Sequence, residues 1–159
     1  MRILAVRSAP TGKGRTVSGY AAVFNQPMSG DTEIIRPGAF RRTLESGANI
    51  RALYNHDDMA LLGTTKAGTL RLREDSHGLA FDLDLPDTTC GRDVLELVTR
   101  GDIAGCSFGF YVRDESVVNG VRELRDVELA EITLTPCPAY PQTQVSIRSD
   151  NRKRWLETC

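Results

Sequence analysis

The chain has 159 residues, of which 40% are hydrophobic and 26% charged, and its formal net charge is −1. This length and composition argue against a disordered or fibrous protein and predict one globular domain, residues 1–150, followed by a polar basic tail at 151–159. Acidic and basic side chains nearly balance, so no nucleic-acid partner is predicted. No apolar run approaches the roughly 20 residues that span a bilayer, and the start is too short for a signal peptide, so we expect a cytosolic protein without a membrane partner.

Apolar and polar residues alternate with a period of two through much of the chain, which predicts strands as the main elements. Two hairpin turns are indicated, a polar break at 75–78 and Asn119-Gly120, whose residues tolerate the positive φ of a type I′ turn. The predicted strands lie at 17–23, 50–54, 69–74, 79–85, 117–124 (split by the second turn) and 127–135. A total of about six to eight closely spaced strands predicts a closed or nearly closed antiparallel barrel.

Two segments carry helical signals. The first runs from Pro37, which suits a first helical turn, to Gly47, which suits the left-handed C-terminal position. The second begins at Thr88 or Thr89 as N-cap and ends at Gly101, with apolar residues at helical spacing between them. The predicted fold class is therefore mainly β with a few helices (α+β).

The cysteines show no metal-binding or disulfide pattern. They are Cys90, Cys106, Cys137 and Cys159, without Cys-x-x-Cys spacing or clustered histidines. This arrangement predicts neither a zinc site nor a disulfide framework, and reduced thiols are expected. No metal and no cofactor are predicted.

The two histidines differ in their setting. His56 follows an apolar segment and is in phase with Ile50, Ala52 and Tyr54, which predicts that its ring points to the same side as theirs. His77 lies in a hairpin turn beside glycine, where exposure to solvent is the simpler interpretation. A neutral imidazole can accept and return a proton, so His56 is the candidate base, with a core or turn histidine as the alternative.

Ser107 is the candidate nucleophile. Strand alternation places it on one face with Gly109 and Tyr111, while Phe108 faces the other way. The glycines at 105 and 109 leave backbone space where a substrate main chain would approach. A small residue packed between aromatics would give the same pattern. The neighbouring Cys106 competes as a nucleophile but would point to the opposite face.

Glu131 breaks the apolar pattern of its predicted strand. It falls on the strand face of Val127 and Leu129, where an unpaired carboxylate would be costly to bury, so it needs a partner. Exposure at a strand end or an ion pair with an arginine is the alternative, and Asp57 or Asp58 could orient the imidazole instead. A base, a hydroxyl and a carboxylate are what an activated serine requires.

Several short motifs follow one another along most of the chain. They lie at 18–24, 35–40, 55–57, 107–110, 131–134 and 138–141. In this order they resemble the prohead proteases of tailed phages, which are capsid-maturation serine proteases similar in fold to herpesvirus assemblin. The resemblance implies a herpesvirus-protease-like antiparallel β-barrel flanked by helices, with residues 1–150 as a single protease domain.

The resemblance also implies chemistry and partners. His56 would be the base, Ser107 the nucleophile and Glu131 the third member, although assemblin has a histidine at the third position. The implied function is a serine endopeptidase that cleaves the major capsid or scaffold protein, and itself, inside an assembling procapsid in the host bacterial cytoplasm. A homo-oligomer is also expected.

By analogy, the oxyanion donors are expected on the loop after the Glu131 strand. There Cys137, Ala139 and Tyr140 keep N–H groups that the neighbouring prolines lack. Two other interpretations stay open: a noncatalytic β-barrel that serves as a scaffold or assembly module of the procapsid, and an esterase or amidase that uses the same three residues.

Overall fold

The structure is a computed structural model that describes residues 14–27, 32–138 and 144–147. Over these residues the chain is mainly β, with nine strands and two helices. The strands are β1 (Thr16–Val23), β2 (Glu33–Ile35), β3 (Arg51–Tyr54), β4 (Asp57–Thr64), β5 (Leu70–Glu74), β6 (Gly78–Asp84), β7 (Gly105–Val118), β8 (Val121–Thr135) and β9 (Gln144–Ile147). The helices are α1 (Arg41–Glu45) and α2 (Thr89–Arg100). The tail predicted at 151–159 lies outside the described residues.

The strands form two sheets. One has four strands in the order β5-β6-β1-β9, and all of its ladders are antiparallel. In the other, β8 is the hub, because it pairs with β2, β3 and β7 while β4 pairs with β3. The ladders β2–β8 and β3–β8 are parallel, which corrects the prediction of an entirely antiparallel arrangement. A parallel pair requires a long connection between its strands, and no local alternation pattern signals it.

Barrel closure remains a prediction, although backbone hydrogen bonds connect the two sheets at their edges. The amide of Val145 in β9 donates to the carbonyl of Ala104, just before β7, at 3.0 Å. Side chains from both sheets and from α2 form one buried cluster, and Phe40 lies in it edge-on to Phe108 with ring centroids 5.6 Å apart. Burying a side chain of this size stabilises a fold by about 1.5–3 kcal/mol.

The hairpin and helix signals give the boundaries closest to prediction. Asn119 (φ 52°) and Gly120 (φ 79°) form the turn between β7 and β8. The Thr88 hydroxyl accepts the amide hydrogen of Gly91 to cap α2, and Gly101 ends that helix with φ 86°. Helix α1 is shorter than predicted, because residues 37–40 form a turn in which Gly38 has a φ of 90°.

Candidate active site

His56 lies in a tight turn between β3 and β4 rather than on a strand. Asn55 and His56 both have left-handed backbone conformations, with φ of 53° and 58°. Non-glycine residues seldom adopt this region, and each costs of order 1–3 kcal/mol unless its surroundings impose it. The prediction that His56 continues the alternation of Ile50 and Tyr54 is therefore wrong, because the chain turns before it reaches the imidazole.

Three consecutive residues of β8 hold this turn. The Thr133 hydroxyl accepts the backbone N–H of His56 at 2.8 Å and donates to the carbonyl of Leu53 at 3.2 Å. The Leu134 carbonyl accepts the amide hydrogen of Asn55 at 3.0 Å, and the Thr135 hydroxyl donates to the Asn55 side chain at 3.1 Å. The strained turn is thus fixed from outside, and the imidazole starts from a defined backbone position.

Glu131 reaches the site because of a β-bulge in β8. In the β7–β8 ladder, Gly109 pairs with Glu131 but the next residue, Phe110, pairs with Leu129, which leaves Ala130 without a partner. The extra residue reverses the alternation. Both Leu129 and Ile132 consequently point into the core, and Glu131 does not lie on the face of Leu129. The predicted face was wrong, because the alternation was extended across a bulge that the sequence does not signal.

The side chains of His56 and Glu131 meet directly. His56 Nδ1 lies 2.6 Å from Glu131 Oε1. The histidine side chain is 49% exposed, whereas that of the glutamate is 12% exposed. An ionised carboxylate can only accept hydrogen bonds, so Nδ1 carries the proton and Nε2 is left as an acceptor. The buried Oε2 of Glu131 receives no hydrogen bond from the described residues.

Ser107 lies on the strand next to this pair. In the β7–β8 ladder it is directly opposite Thr133, the residue that binds the His56 amide, and Gly109 is opposite Glu131. Residues opposite each other in an antiparallel ladder share a face, with Cβ atoms about 4.5–5.5 Å apart. Ser107 is 4% exposed. The structure therefore joins His56 to Glu131 and places Ser107 on the neighbouring strand, on the same face.

The competing residues have other surroundings. Cys106 is fully buried in the core, on the face opposite Ser107, and burial raises the pKa of its thiol well above the ordinary value. Asp57 accepts the Met59 amide hydrogen, and Asp58 pairs with Arg51 at 2.7 Å. His77 packs edge-on against Tyr20. None of these four residues has a hydrogen bond to the His56 ring among those described, and the glutamate is the carboxylate that contacts it.

The backbone space at the two glycines of β7 is already occupied. A Cβ at position 105 would collide with the ring of Pro138, and one at position 109 would collide with the Glu131 side chain. The prediction that both glycines leave room for a substrate main chain is therefore wrong for this structure. Their small size serves packing within the chain.

The predicted oxyanion donors fall only partly within the described residues. The Cys137 amide donates to the Thr135 hydroxyl at 3.2 Å, so this N–H already has an acceptor. Ala139 and Tyr140 lie outside the described residues. Sequence reasoning missed Thr133 and Asn55, although a hydroxyl two residues after Glu131 on the same strand face was a usable signal.

The described residues meet neither the requirements of a metal site nor those of a membrane-spanning helix. No group of three or more His, Cys, Asp or Glu side chains within 14–27, 32–138 and 144–147 is placed to hold a metal ion. In the same described part of the chain, no helix has the length and apolar character needed to cross a membrane.

Comparison with known proteins gives a family and a fold. A family model described as Caudovirus prohead serine protease matches residues 3–157. The KSHV protease in complex with a hexapeptide phosphonate inhibitor is similar in structure, with a TM-score of 0.57 and 14% identity over 92% of this chain and 69% of that one. The varicella-zoster virus protease has a TM-score of 0.49 and 15% identity over 82% of this chain and 62% of that one. No curated protein matches the chain.

Proposed function

The chain belongs to the Caudovirus prohead serine protease family and is a serine peptidase, and we propose that Ser107, His56 and Glu131 are its catalytic residues. The observation that carries this assignment is the 2.6 Å contact between His56 Nδ1 and Glu131 Oε1, made on the sheet face that carries Ser107. The fold shared with the KSHV protease agrees with the expected fold class.

The proposed mechanism assigns one task to each side chain. His56 Nε2 takes the Ser107 proton as the hydroxyl attacks the peptide carbonyl, and then returns that proton to the leaving amine. Glu131 stabilises the imidazolium that forms between these steps and holds the ring in the tautomer that leaves Nε2 unprotonated. Its buried Oε2 has no competing donor among the described residues, so the His56 N–H is the hydrogen-bond donor that the carboxylate contacts.

The oxyanion that forms during attack needs preorganised donors. We keep the segment after β8 as the place for them, with the amides of Ala139 and Tyr140 as candidates. The Cys137 amide could donate to the oxyanion only if its hydrogen bond to the Thr135 hydroxyl were broken first.

The family description supports a substrate in the phage prohead. We propose that the enzyme is an endopeptidase that cleaves the major capsid or scaffold protein, and itself, inside the procapsid in the host cytoplasm. A homo-oligomer is part of this proposal. The alternative within the same particle is a noncatalytic scaffold domain.

A fluorophosphonate probe tests the catalytic assignment. We expect the folded protein to be labelled on Ser107, with labelling lost in Ser107→Ala and in His56→Ala. Ser116→Ala on the same strand and His77→Ala in a distant turn are the matched controls, and both should keep it. Labelling that survives Ser107→Ala would overturn the assignment.

Co-expression with the capsid protein tests the substrate. New N-termini in the capsid protein that depend on Ser107 are expected. A capsid protein that stays intact beside an enzyme labelled by the probe would overturn the proposed substrate but leave the catalytic residues standing. Intact capsid protein with no labelling in assembled particles would favour the scaffold.

A further inference from the structure

Gly109 has no backbone requirement for glycine in this structure. Its φ lies outside the left-handed region that glycines such as Gly101 and Gly120 occupy. It lies inside the long strand β7, where glycine lowers stability relative to residues that have a side chain. A glycine at such a position indicates a close approach of another group.

The group that approaches Gly109 is the Glu131 side chain. The two residues are directly opposite each other in the β7–β8 ladder. A Cβ at position 109 would lie 2.9 Å from Glu131 Cγ, 2.9 Å from Oε1 and 3.3 Å from Cδ. The first two distances are shorter than real Cβ contacts. The Glu131 side chain therefore lies directly over the α-carbon of Gly109 in the conformation that contacts His56.

The bulge makes this path specific. The register shifts between Gly109 and Phe110, so Ala130 has no partner and Glu131 takes the place opposite the glycine. The oxygen nearest to a Cβ at position 109 is Oε1, the atom that contacts His56 Nδ1 at 2.6 Å. A methyl group at 109 would therefore come too close to the atom that orients the base.

We propose that Gly109 is a positioning residue. Because it has no side chain, it leaves the space in which the Glu131 side chain lies when its carboxylate contacts His56, and we call this space the seat of Glu131. This role rests on the proposed function, since it acts through Glu131 on the candidate base. It replaces the expectation that the glycine makes room for substrate, and the two roles differ in what Gly109→Ala would change. If the new methyl group only blocked substrate, it would lower turnover and leave the free enzyme unchanged. If it filled the seat, it would break the contact between His56 and Glu131 in the free enzyme.

The first test is structural and needs no substrate. In wild type, the proton between His56 Nδ1 and Glu131 should give a low-field NMR resonance that is assigned by its loss in Glu131→Ala, which removes the acceptor. We expect that resonance to be absent in Gly109→Ala. The labelling rate with the fluorophosphonate should fall by about 10- to 100-fold, since a small misplacement of a catalytic group has effects of this size. A Gly109→Ala protein that keeps both the resonance and the labelling rate would overturn the proposal.

Gly63→Ala is the matched control. Gly63 lies on β4 of the same sheet, and a Cβ there would be equally crowded, 2.8 Å from Leu83 Cδ1 and 2.8 Å from Thr69 Oγ1. This variant should lose stability but keep the low-field resonance. If Gly63→Ala also lost the resonance, any crowded glycine substitution in this sheet would disturb the His56–Glu131 contact, and the specific role of Gly109 would be contradicted.

A double-mutant cycle covers the case in which Gly109→Ala folds poorly. Glu131→Ala removes Cγ, Cδ and Oε1, the atoms with which the new methyl would collide. Gly109→Ala should therefore lower the unfolding midpoint in wild type and raise it, or leave it unchanged, in the Glu131→Ala background. Equal destabilisation in the two backgrounds would overturn the proposal. If the wild-type protein shows the resonance but is not labelled by the fluorophosphonate, the proposed function is refuted, whereas the role of Gly109 in placing Glu131 still stands.

Discussion

Thr133 Oγ1 accepts the backbone N–H of His56 at 2.8 Å, and Thr133 lies directly opposite Ser107 in the β7–β8 ladder. One buried residue thus fixes the backbone of the candidate base and faces the candidate nucleophile. Its hydroxyl also donates to the Leu53 carbonyl at 3.2 Å, so both its donor and its acceptor capacity are used. The separation of base and nucleophile therefore depends on a side chain that takes no part in proton transfer.

Replacing Thr133 by valine should loosen this arrangement. Valine has nearly the same shape but removes the acceptor of the His56 amide and the hydroxyl that donates to the Leu53 carbonyl, which should lower the free energy of unfolding by about 1–3 kcal/mol. The strained turn would lose an anchor, so fluorophosphonate labelling should fall as well. Thr133→Ser keeps the hydroxyl and should lie closer to wild type in both respects. Denaturant unfolding and labelling rates measure the two effects, and equal behaviour of valine and serine would contradict this role.

Replacing Glu131 by glutamine should leave a folded protein with low turnover. The amide oxygen can still accept the Nδ1 hydrogen, but a neutral side chain stabilises the imidazolium poorly. We expect labelling and capsid processing to fall by roughly 100-fold or more. Glu128→Gln removes a carboxylate of the same strand that pairs with Arg113, and it should retain activity. Full activity in Glu131→Gln would move the orienting role to another group.

Replacing Cys106 by alanine should have little effect on catalysis. The thiol points into the core, and burial raises its pKa, so it is protonated and enclosed at neutral pH. The smaller side chain should cost about 1 kcal/mol of stability through the space it leaves. In wild type, a thiol reagent should modify the exposed Cys137 long before Cys106, as peptide mass mapping would show. Abolished labelling in a well-folded Cys106→Ala protein would indicate a thiol nucleophile.

Tyr20→Phe should show a pH-dependent loss of stability. The Tyr20 hydroxyl donates to Asp75 at 2.7 Å, and this bond raises the pKa of Tyr20 and lowers that of Asp75. Because the Asp75 pKa is depressed in the folded state, its contribution is present above its unfolded pKa of about 3.9 and is lost as pH falls through the folded value. Because the Tyr20 pKa is raised, its contribution is present below its unfolded pKa of about 10 and is lost as pH rises through the folded value.

The difference in unfolding free energy between wild type and Tyr20→Phe should therefore be largest between about pH 4 and pH 10. It should shrink at both extremes. The phenylalanine ring can keep the edge-on packing against His77, so the two proteins differ in the hydroxyl and not in this ring contact. Denaturant titrations across the pH range measure the effect, and a difference that does not vary with pH would contradict the assignment.

Local chemistry explains which elements the sequence could predict. Asn119-Gly120 specified a turn, and Thr88 and Gly101 specified the ends of α2, because each signal acts within a few residues. Strand alternation also placed Phe108 and Cys106 on the face opposite Ser107, which the structure shows to be the core face. The three candidate site residues were also chosen from the sequence, and the structure brings His56 and Glu131 together.

The remaining features depend on contacts between distant segments. The turn at Asn55 and His56 contains no glycine, and its left-handed conformation is imposed by β8. The bulge at Ala130 follows from the register of β7 against β8, and no residue type in β8 marks it. The parallel pairing of β3 with β8 joins segments about 80 residues apart, as in the Thr133–Leu53 hydrogen bond. Features of this kind cannot be predicted from the local sequence, because each depends on a strand that is distant in the chain.

The parallel ladder between β3 and β8 also has a consequence for folding kinetics. The β7–β8 hairpin closes over a two-residue turn, so Ser107 and Glu131 can come together early. His56 joins them only when β3 docks from the other part of the chain, a slow event because loop closure over so long a separation costs entropy. Under the proposed mechanism, a nascent or partly folded chain would therefore hold the candidate hydroxyl and carboxylate but lack the imidazole, and would stay inactive until its own folding is complete.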